Sequence, residues 1–109
     1  MKIYFEQSGG IVGINNRISI NTDSLDADEG VKLQRLIDDT RFFHLPSNLG
    51  ATPNRGADYF VYKITVVTND DKRHFIKTTD LTTPSNLGPL IRYLRQKALK
   101  AADRSKNPK

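Results

Sequence analysis

The sequence predicts an α+β fold in which two β-hairpins form a four-stranded antiparallel sheet and two helices pack on one face, in the order ββα-ββα. Three observations support this. Apolar residues alternate with polar ones near 1–20 and 58–79, as they do in strands. They recur every three or four positions within 24–40 and 87–98, as they do in helices. With 109 residues, the chain has the length of a single domain, 1–109.

The first hairpin is predicted over residues 1–20. In residues 1–6, Ile3 and Phe5 share one face of a strand. The stretch QSGG then predicts the turn. One face of the next strand carries a second apolar set: Val12, Ile14, Ile18 and Ile20.

The first helix is predicted within residues 21–40, where acidic side chains crowd the first turn and favour the helix dipole. Ser24 is the predicted N-cap, and Gly30 inside the helix costs up to about 1 kcal/mol. The buried stripe is spaced i, i+3, i+4, i+7: Leu33, Leu36, Ile37 and Thr40. After it, the stretch RFFHLP is expected to pack Phe42, Phe43 and Leu45 under the sheet.

The stretch HLPSNLGATPNRGAD, residues 44–58, has no periodicity and contains two prolines and two glycines. Such long connections in small domains are usually functional or mobile. The second hairpin follows as DYFVYKITVVT, a turn at NDDK, and RHFIKTT. Its first strand has apolar residues on both faces, so the pattern leaves open which face is buried.

The closing helix is predicted from about residue 89, after a short turn at 84–87, because Pro89 inside a helix would cost about 3 kcal/mol. Residues from about 104 to 109 are expected to fray as a basic tail. The stripe that faces the core is Leu87, Leu90, Ile91, Leu94 and Ala98.

The net charge of +5 is local: from Arg92 onward there are seven basic residues and Asp103, which gives +6, and the rest of the chain is −1. Cations near a helix C-terminus favour the dipole and solvate the chain end, so we expect no nucleic-acid partner. The alternative is a small nucleic-acid-binding module that uses this basic helix and the aromatic residues Tyr59, Phe60, Tyr62 and Phe75. Against it, the core needs the helix's apolar stripe.

The sequence contains no recognisable catalytic or metal-binding constellation. There are no cysteines, and the two histidines, His44 and His74, have no second ligand at helical spacing, so surface or hydrogen-bonded roles are expected for both. The GGxxG stretch lies in a hairpin rather than at a helix N-terminus, which disfavours phosphate binding. We therefore predict a non-enzyme without cofactor or metal; a small hydrolase is the weakest alternative.

No apolar run is long enough to span a bilayer, and residues 1–10 lack the apolar region of a signal peptide. We therefore expect no membrane partner, and a cytoplasmic location or export by a non-classical route.

The glycine-framed hairpin presents Ile11 as a candidate anchor. If the even-numbered residues of the second strand face the core, Ile11 points the other way and is exposed at the tip. Equally open is that Ile11 covers a helix edge or pairs with Tyr4. The glycines suit both interpretations, since a turn needs positive φ and a wedge needs close backbone approach.

Four stretches carry a resemblance to a known family: MKIYFEQSGGIVGI, DTRFFHLP, GADYFVYKITV and GPLIRYLRQKAL. Together they resemble the emfourin family, small bacterial inhibitors of protealysin-like metallopeptidases of the thermolysin type. The similarity extends from Met1 to about Leu99. Where the family pattern has an aromatic and a small residue after Gly-Gly, this chain has Ile11 and Val12, which bears on pocket preference.

The resemblance implies a protein, monomeric when free, that binds a protealysin-like zinc peptidase and blocks its cleft. Thermolysin-like enzymes accept a bulky side chain in their main pocket, which an exposed Ile11 would fill. The primary contact is then predicted at Ser8, Gly9, Gly10, Ile11 and Val12. A second contact is predicted in the 44–58 loop at Leu49, Asn54 and Arg55.

Overall fold

The computed structural model describes residues 1–9, 14–49, 60–80 and 82–106. Their strands and helices follow the predicted ββα-ββα order. The strands are β1 (Lys2–Gly9), β2 (Ile14–Asn21), β3 (Phe60–Val67) and β4 (Arg73–Thr79), and the helices are α1 (Ala27–Thr40) and α2 (Gly88–Lys106). Short 3-10 turns precede or follow the helices at Thr22–Ser24, Phe42–His44 and Ser85–Leu87.

The four strands form one antiparallel sheet in the order β2-β1-β3-β4, so the two hairpins meet along β1 and β3. Phe5 lies opposite Ile18 on one side and Ile64 on the other, and Ile64 lies opposite Ile76. This row of apolar side chains crosses the whole sheet on the face that the helices cover.

The core lies between that face and the two helices. Ile3, Phe5, Ile64, Val66 and Ile76 are buried from the sheet. From the helices the core receives Leu33 and Ile37 of α1 and the whole predicted stripe at the last helix: Leu87, Leu90, Ile91, Leu94 and Ala98. Phe42 is buried, and Phe43 and Leu45 pack against the cluster, as the sequence predicted.

The structure determines which face of β3 is buried. Tyr62, Ile64 and Val66 point into the core, whereas Val61 and Val67 lie on the opposite, open face. In β2, Ile18 and Ile20 follow the prediction, with Ile20 buried and Ile18 packed against the core.

The predicted start of α1 is wrong, and that of α2 agrees with the structure. The predicted cap at Ser24 is wrong: Asp26 holds the N-cap position of α1, and Ser24 ends a 3-10 turn. That turn is capped by the Asn21 side chain, which accepts a 3.0 Å hydrogen bond from the Asp23 amide. Pro89 is the second residue of α2, where its missing amide costs little, as predicted.

Helix α2 extends to Lys106, so residues 104–106 of the predicted basic tail are helical in the structure. Over the part of the chain that is described, no helix is long and apolar enough to cross a bilayer.

Candidate functional site

The described part of the predicted contact surface is the base of the glycine-rich hairpin. Ser8 lies opposite Asn15 of β2 and Val61 of β3, and Gly9 lies opposite Ile14 and Phe60. Both strands of the hairpin therefore remain paired up to the segment 10–13, and β3 supports β1 along its full length. Gly10, Ile11 and Val12 lie outside the described residues.

Gly9 has a φ of 103°, in the range that side chains with a Cβ rarely adopt. The first glycine of the stretch therefore sets a backbone direction at the end of β1 that another residue would adopt only with strain. This is a specific conformational requirement at the start of the predicted contact segment.

On the helix side, a cluster of long side chains packs behind the base of the hairpin. Phe60, the residue opposite Gly9, has its ring 6.5 Å from that of Tyr62, which stacks on Phe5 at 6.1 Å. The guanidinium of Arg95 on α2 lies 5.9 Å from the Phe60 ring centre. On the helix side, Phe60, the cross-strand partner of Gly9, is therefore covered by Arg95 of the last helix.

This end of the sheet is polar as well as aromatic. Burial raises the pKa of the Tyr62 hydroxyl, and the nearby Arg95 cation opposes that rise. The amide of Asp80 donates to the carbonyl of Phe60 at 3.2 Å, which fixes the start of β3 against the end of β4. The Nε of Arg95 is buried without a hydrogen-bond partner among the described residues.

Sequence reasoning missed the role of Arg95, because it counted this residue with a solvated basic segment. Its spacing gives a usable signal: Arg95 follows the buried Ile91 by four positions and so lies beside the core stripe of the helix. A long cation at the edge of such a stripe packs its stem on apolar surface.

The predicted second contact begins at Leu49, which lies along the outer edge of β4. Its amide donates to the Lys77 carbonyl at 2.8 Å, and the Lys77 amide donates to the Ser47 carbonyl at 2.8 Å. The Leu49 side chain is half-buried and packs against the core. Asn54 and Arg55 lie outside the described residues.

Ser8 and Gly9 are adjacent at the end of β1, and Leu49 lies beyond the outer edge of β4. Ser8 lies opposite Val61, which lies opposite Thr79, so these three residues form one cross-strand row. Lys77, whose carbonyl accepts from the Leu49 amide, is two residues from Thr79 along β4. The described parts of the two predicted contacts therefore lie towards one end of the sheet, separated by β3 and β4.

Both histidines are placed as surface or hydrogen-bonded residues. His44 is exposed, and His74 Nε2 forms a 2.7 Å hydrogen bond with the Leu45 carbonyl. The His74 ring also packs edge-on against Phe42 at 5.6 Å. Among the residues described, no three His, Asp or Glu side chains are grouped so that they could hold a metal ion.

The aromatic surface of the alternative, nucleic-acid-binding interpretation is not formed as predicted. Phe60 and Tyr62 point to the helix side, whereas Phe75 is on the open face, because alternate residues of a strand point to opposite faces. Tyr59 lies outside the described residues. In the basic helix, Lys97 pairs with Glu29 of α1, and Arg95 packs on Phe60.

In the comparison with protein families, the Emfourin family model matches residues 5–95. That span includes the glycine-rich hairpin, the 44–58 segment and α2 as far as Arg95. No curated protein and no solved structure matches the chain. Since the matched span is well over half of the sequence, the chain belongs to the emfourin family.

Proposed function

We propose that this protein is an inhibitor that binds a protealysin-like zinc metallopeptidase of the thermolysin type and blocks its active-site cleft. The observation that carries the proposal is the family match over residues 5–95, since emfourins are inhibitors of such peptidases. In this role the chain acts as a binding protein without catalysis of its own, monomeric when free. A cytoplasmic location remains a prediction.

The described geometry suits an inhibitory hairpin. Eight cross-strand pairs join β1 to β2, from Lys2–Asn21 to Gly9–Ile14, and eight more join β1 to β3. Ser8 and Gly9 are held by these pairs, so ordering them on binding costs little conformational entropy, which favours affinity. We place the primary contact at residues 8–12, with Ile11 as the side chain that fills the main pocket of the peptidase.

A second contact is proposed at Leu49, Asn54 and Arg55. Leu49 is fixed to β4 by its amide hydrogen bond, so the segment that follows it starts from a defined place on the sheet edge. A hydrophobic anchor in a pocket, surrounded by weaker contacts that exclude water, is the usual distribution of energy in a protein interface.

The test is a titration of the purified protein into a protealysin-like metallopeptidase. Hydrolysis of a quenched peptide is followed after preincubation, with a serine protease as the specificity control. We expect stoichiometric loss of the metallopeptidase activity alone, and no recovery when zinc is added in excess of the inhibitor. Full activity at large inhibitor excess, against several such enzymes, would contradict the proposal.

The assignment of the contact to Ile11 needs a matched pair of variants. Ile11→Asp is expected to weaken inhibition by at least about a hundredfold, because a carboxylate would have to be desolvated in an apolar pocket. Val31→Asp makes a comparable change on α1, at a side chain that is 58% exposed, and should inhibit like the wild type. Equal inhibition by both variants would show that the hairpin is not the contact.

A further inference from the structure

The face of the sheet opposite the helices carries two exposed aromatic residues in one cross-strand row. Tyr4 lies opposite Thr65, and Thr65 lies opposite Phe75. The exposed fractions are 44% for Tyr4 and 40% for Phe75, which places both rings among the exposed large apolar side chains of the described chain. Aromatic rings that are accessible on the surface of a sheet can stack with planar groups of a bound molecule.

Cationic residues occupy the cross-strand rows on both sides of this aromatic row. On one side Lys2 and Arg73 lie two residues from Tyr4 and Phe75 along their strands. On the other side the next row contains Arg17, Lys63 and Lys77. Two residues along a strand correspond to about 6.8 Å, so each ring has cations within one side-chain length in both directions.

Glu6 is the carboxylate of this face, and it lies in the row of Arg17 and Lys63. Its Oε2 is 3.7 Å from the Arg17 Nε, which compensates its charge. The other charged side chains that the described strands point to this face are all cations: Lys2, Lys63, Arg73 and Lys77. The face is therefore complementary to an anionic partner and would repel a second copy of itself.

A shallow groove of about 600 Å³ lies on this face, with Tyr4, Arg17, Lys63 and Phe75 among the residues that line it. The strands of Tyr4 and Phe75 are separated by β3, so their Cα atoms are about 10 Å apart. A short extended oligonucleotide can therefore contact both rings with different bases.

We propose that this open face binds single-stranded nucleic acid, with Tyr4 and Phe75 stacking on bases and the flanking cations binding phosphates. In a single strand the phosphates run alongside the bases, and on this face the cationic rows run alongside the row that contains Tyr4 and Phe75. Acidic peptides match the cations but offer no regular partner for the two rings. The proposed site is separate from the basic helix, and it does not depend on peptidase inhibition.

The test is fluorescence anisotropy of a labelled 12-nucleotide single strand of mixed sequence, as DNA and as RNA, titrated with the full-length protein. We expect binding that weakens between about 50 mM and 200 mM salt. The logarithm of the association constant should fall linearly with the logarithm of the salt concentration, with a slope of about −0.7 for each phosphate contacted. Tyr4→Ala combined with Phe75→Ala should weaken binding at least about tenfold. A circular dichroism melt of this variant establishes that it is folded.

Two charge variants identify the surface. Lys63→Gln with Lys77→Gln should reduce affinity and lower the salt slope, whereas Arg92→Gln with Lys100→Gln, which removes the same charge from exposed positions on α2, should leave both unchanged. The proposal is overturned if no oligonucleotide binds at low salt, or if the α2 variant alone loses binding. It is also overturned if the variant with Tyr4→Ala and Phe75→Ala binds like the wild type. Two further measurements test the class of partner: competition by polyglutamate and binding to phosphatidylserine vesicles. Competition by polyglutamate equal to that of unlabelled oligonucleotide, or binding to the vesicles but not to oligonucleotides, would also overturn the proposal.

Discussion

Tyr93 on α2 donates a 2.6 Å hydrogen bond to the Glu29 carboxylate on α1, and this contact joins the two helices outside the apolar core. Lys97 forms an ion pair with the same carboxylate oxygen. The Nζ atoms of Lys32 and Lys97 lie 5.9 Å and 5.6 Å from the centre of the Tyr93 ring. One carboxylate therefore orders a phenol and a cation from the opposite helix.

Tyr93→Phe is expected to lower the free energy of unfolding, because it keeps the ring and removes the hydroxyl that donates to Glu29. Tyr4→Phe makes the same change at an exposed tyrosine on the other face of the sheet, and should have a smaller effect. Urea unfolding of the two variants checks this. If Tyr93→Phe were no more destabilising than Tyr4→Phe, the contact between the helices would contribute nothing to stability.

The same cluster predicts a pH dependence. Lys97, and then Tyr93, lower the pKa of Glu29 by donating hydrogen bonds to its ionised form. A carboxylate whose pKa is lower when folded stabilises the protein above its unfolded pKa, usually about 4.5. This contribution is lost as the pH falls from there through the folded pKa.

We therefore expect the stability difference between the wild type and Glu29→Gln to be largest near neutral pH and to shrink below about pH 4.5. Asp70, whose pKa is lowered by a hydrogen bond from Thr68, is present in both proteins and cancels in the difference. Urea unfolding at several pH values measures it. A difference that stayed constant down to about pH 3 would mean that Glu29 titrates alike in the folded and unfolded chains.

The end of α1 provides a prediction of opposite sign. Arg41 follows the helix with φ 52° and ψ 50°, a left-handed conformation in which a residue with a Cβ is strained. Arg41→Gly is expected to raise the free energy of unfolding by about 0.5–1 kcal/mol, because glycine adopts this conformation without that strain. Thermal and urea unfolding check the sign.

Arg35→Gly is the matched control, since Arg35 is an exposed arginine inside α1. There glycine should lower stability by about 1 kcal/mol, through the poor helix propensity of glycine. If both arginine-to-glycine changes destabilise, the left-handed turn at residue 41 carries no strain.

Most elements of the fold were predictable because each has one apolar face that its own local pattern shows; β3 is the exception, with apolar residues on both faces. The strand order was not predictable, since a hairpin pattern such as that of β1 and β2 does not say which strand continues the sheet. The structure places β1 inside, where Phe5 pairs across to Ile64 on β3. Such a pairing joins distant parts of the chain and leaves no periodic signal in either one.

For the candidate site, the sequence singled out Ser8, Gly9 and Leu49, and the structure places them towards one end of the sheet. The sequence did not predict that Arg95 packs on Phe60 behind Gly9. Charge counting treats a cation near the C-terminus as solvated, whereas the long side chain of Arg95 reaches the Phe60 ring. Contacts of this kind depend on the position of the helix against the sheet, which local sequence does not encode.

Gly9 connects the fold with the proposed inhibition. Its φ of 103° lies at the end of β1, where Phe60 of β3 is its cross-strand partner. Gly9→Ala should destabilise the protein by about 1–3 kcal/mol through backbone strain. It should also weaken inhibition of the metallopeptidase under conditions where circular dichroism shows that the variant is folded, because relief of the strain would change the backbone direction at Gly9, where the predicted contact continues.

Gly88→Ala is the control for this change. Gly88 has φ −54° and ψ −49°, and an added Cβ there would meet no atom within 4 Å. At the start of α2, alanine should be neutral or stabilise by up to about 1 kcal/mol, and inhibition should not change. Urea unfolding and the peptidase titration are measured on both variants. If Gly9→Ala unfolds and inhibits like Gly88→Ala, the backbone at Gly9 neither requires glycine nor directs the contact segment.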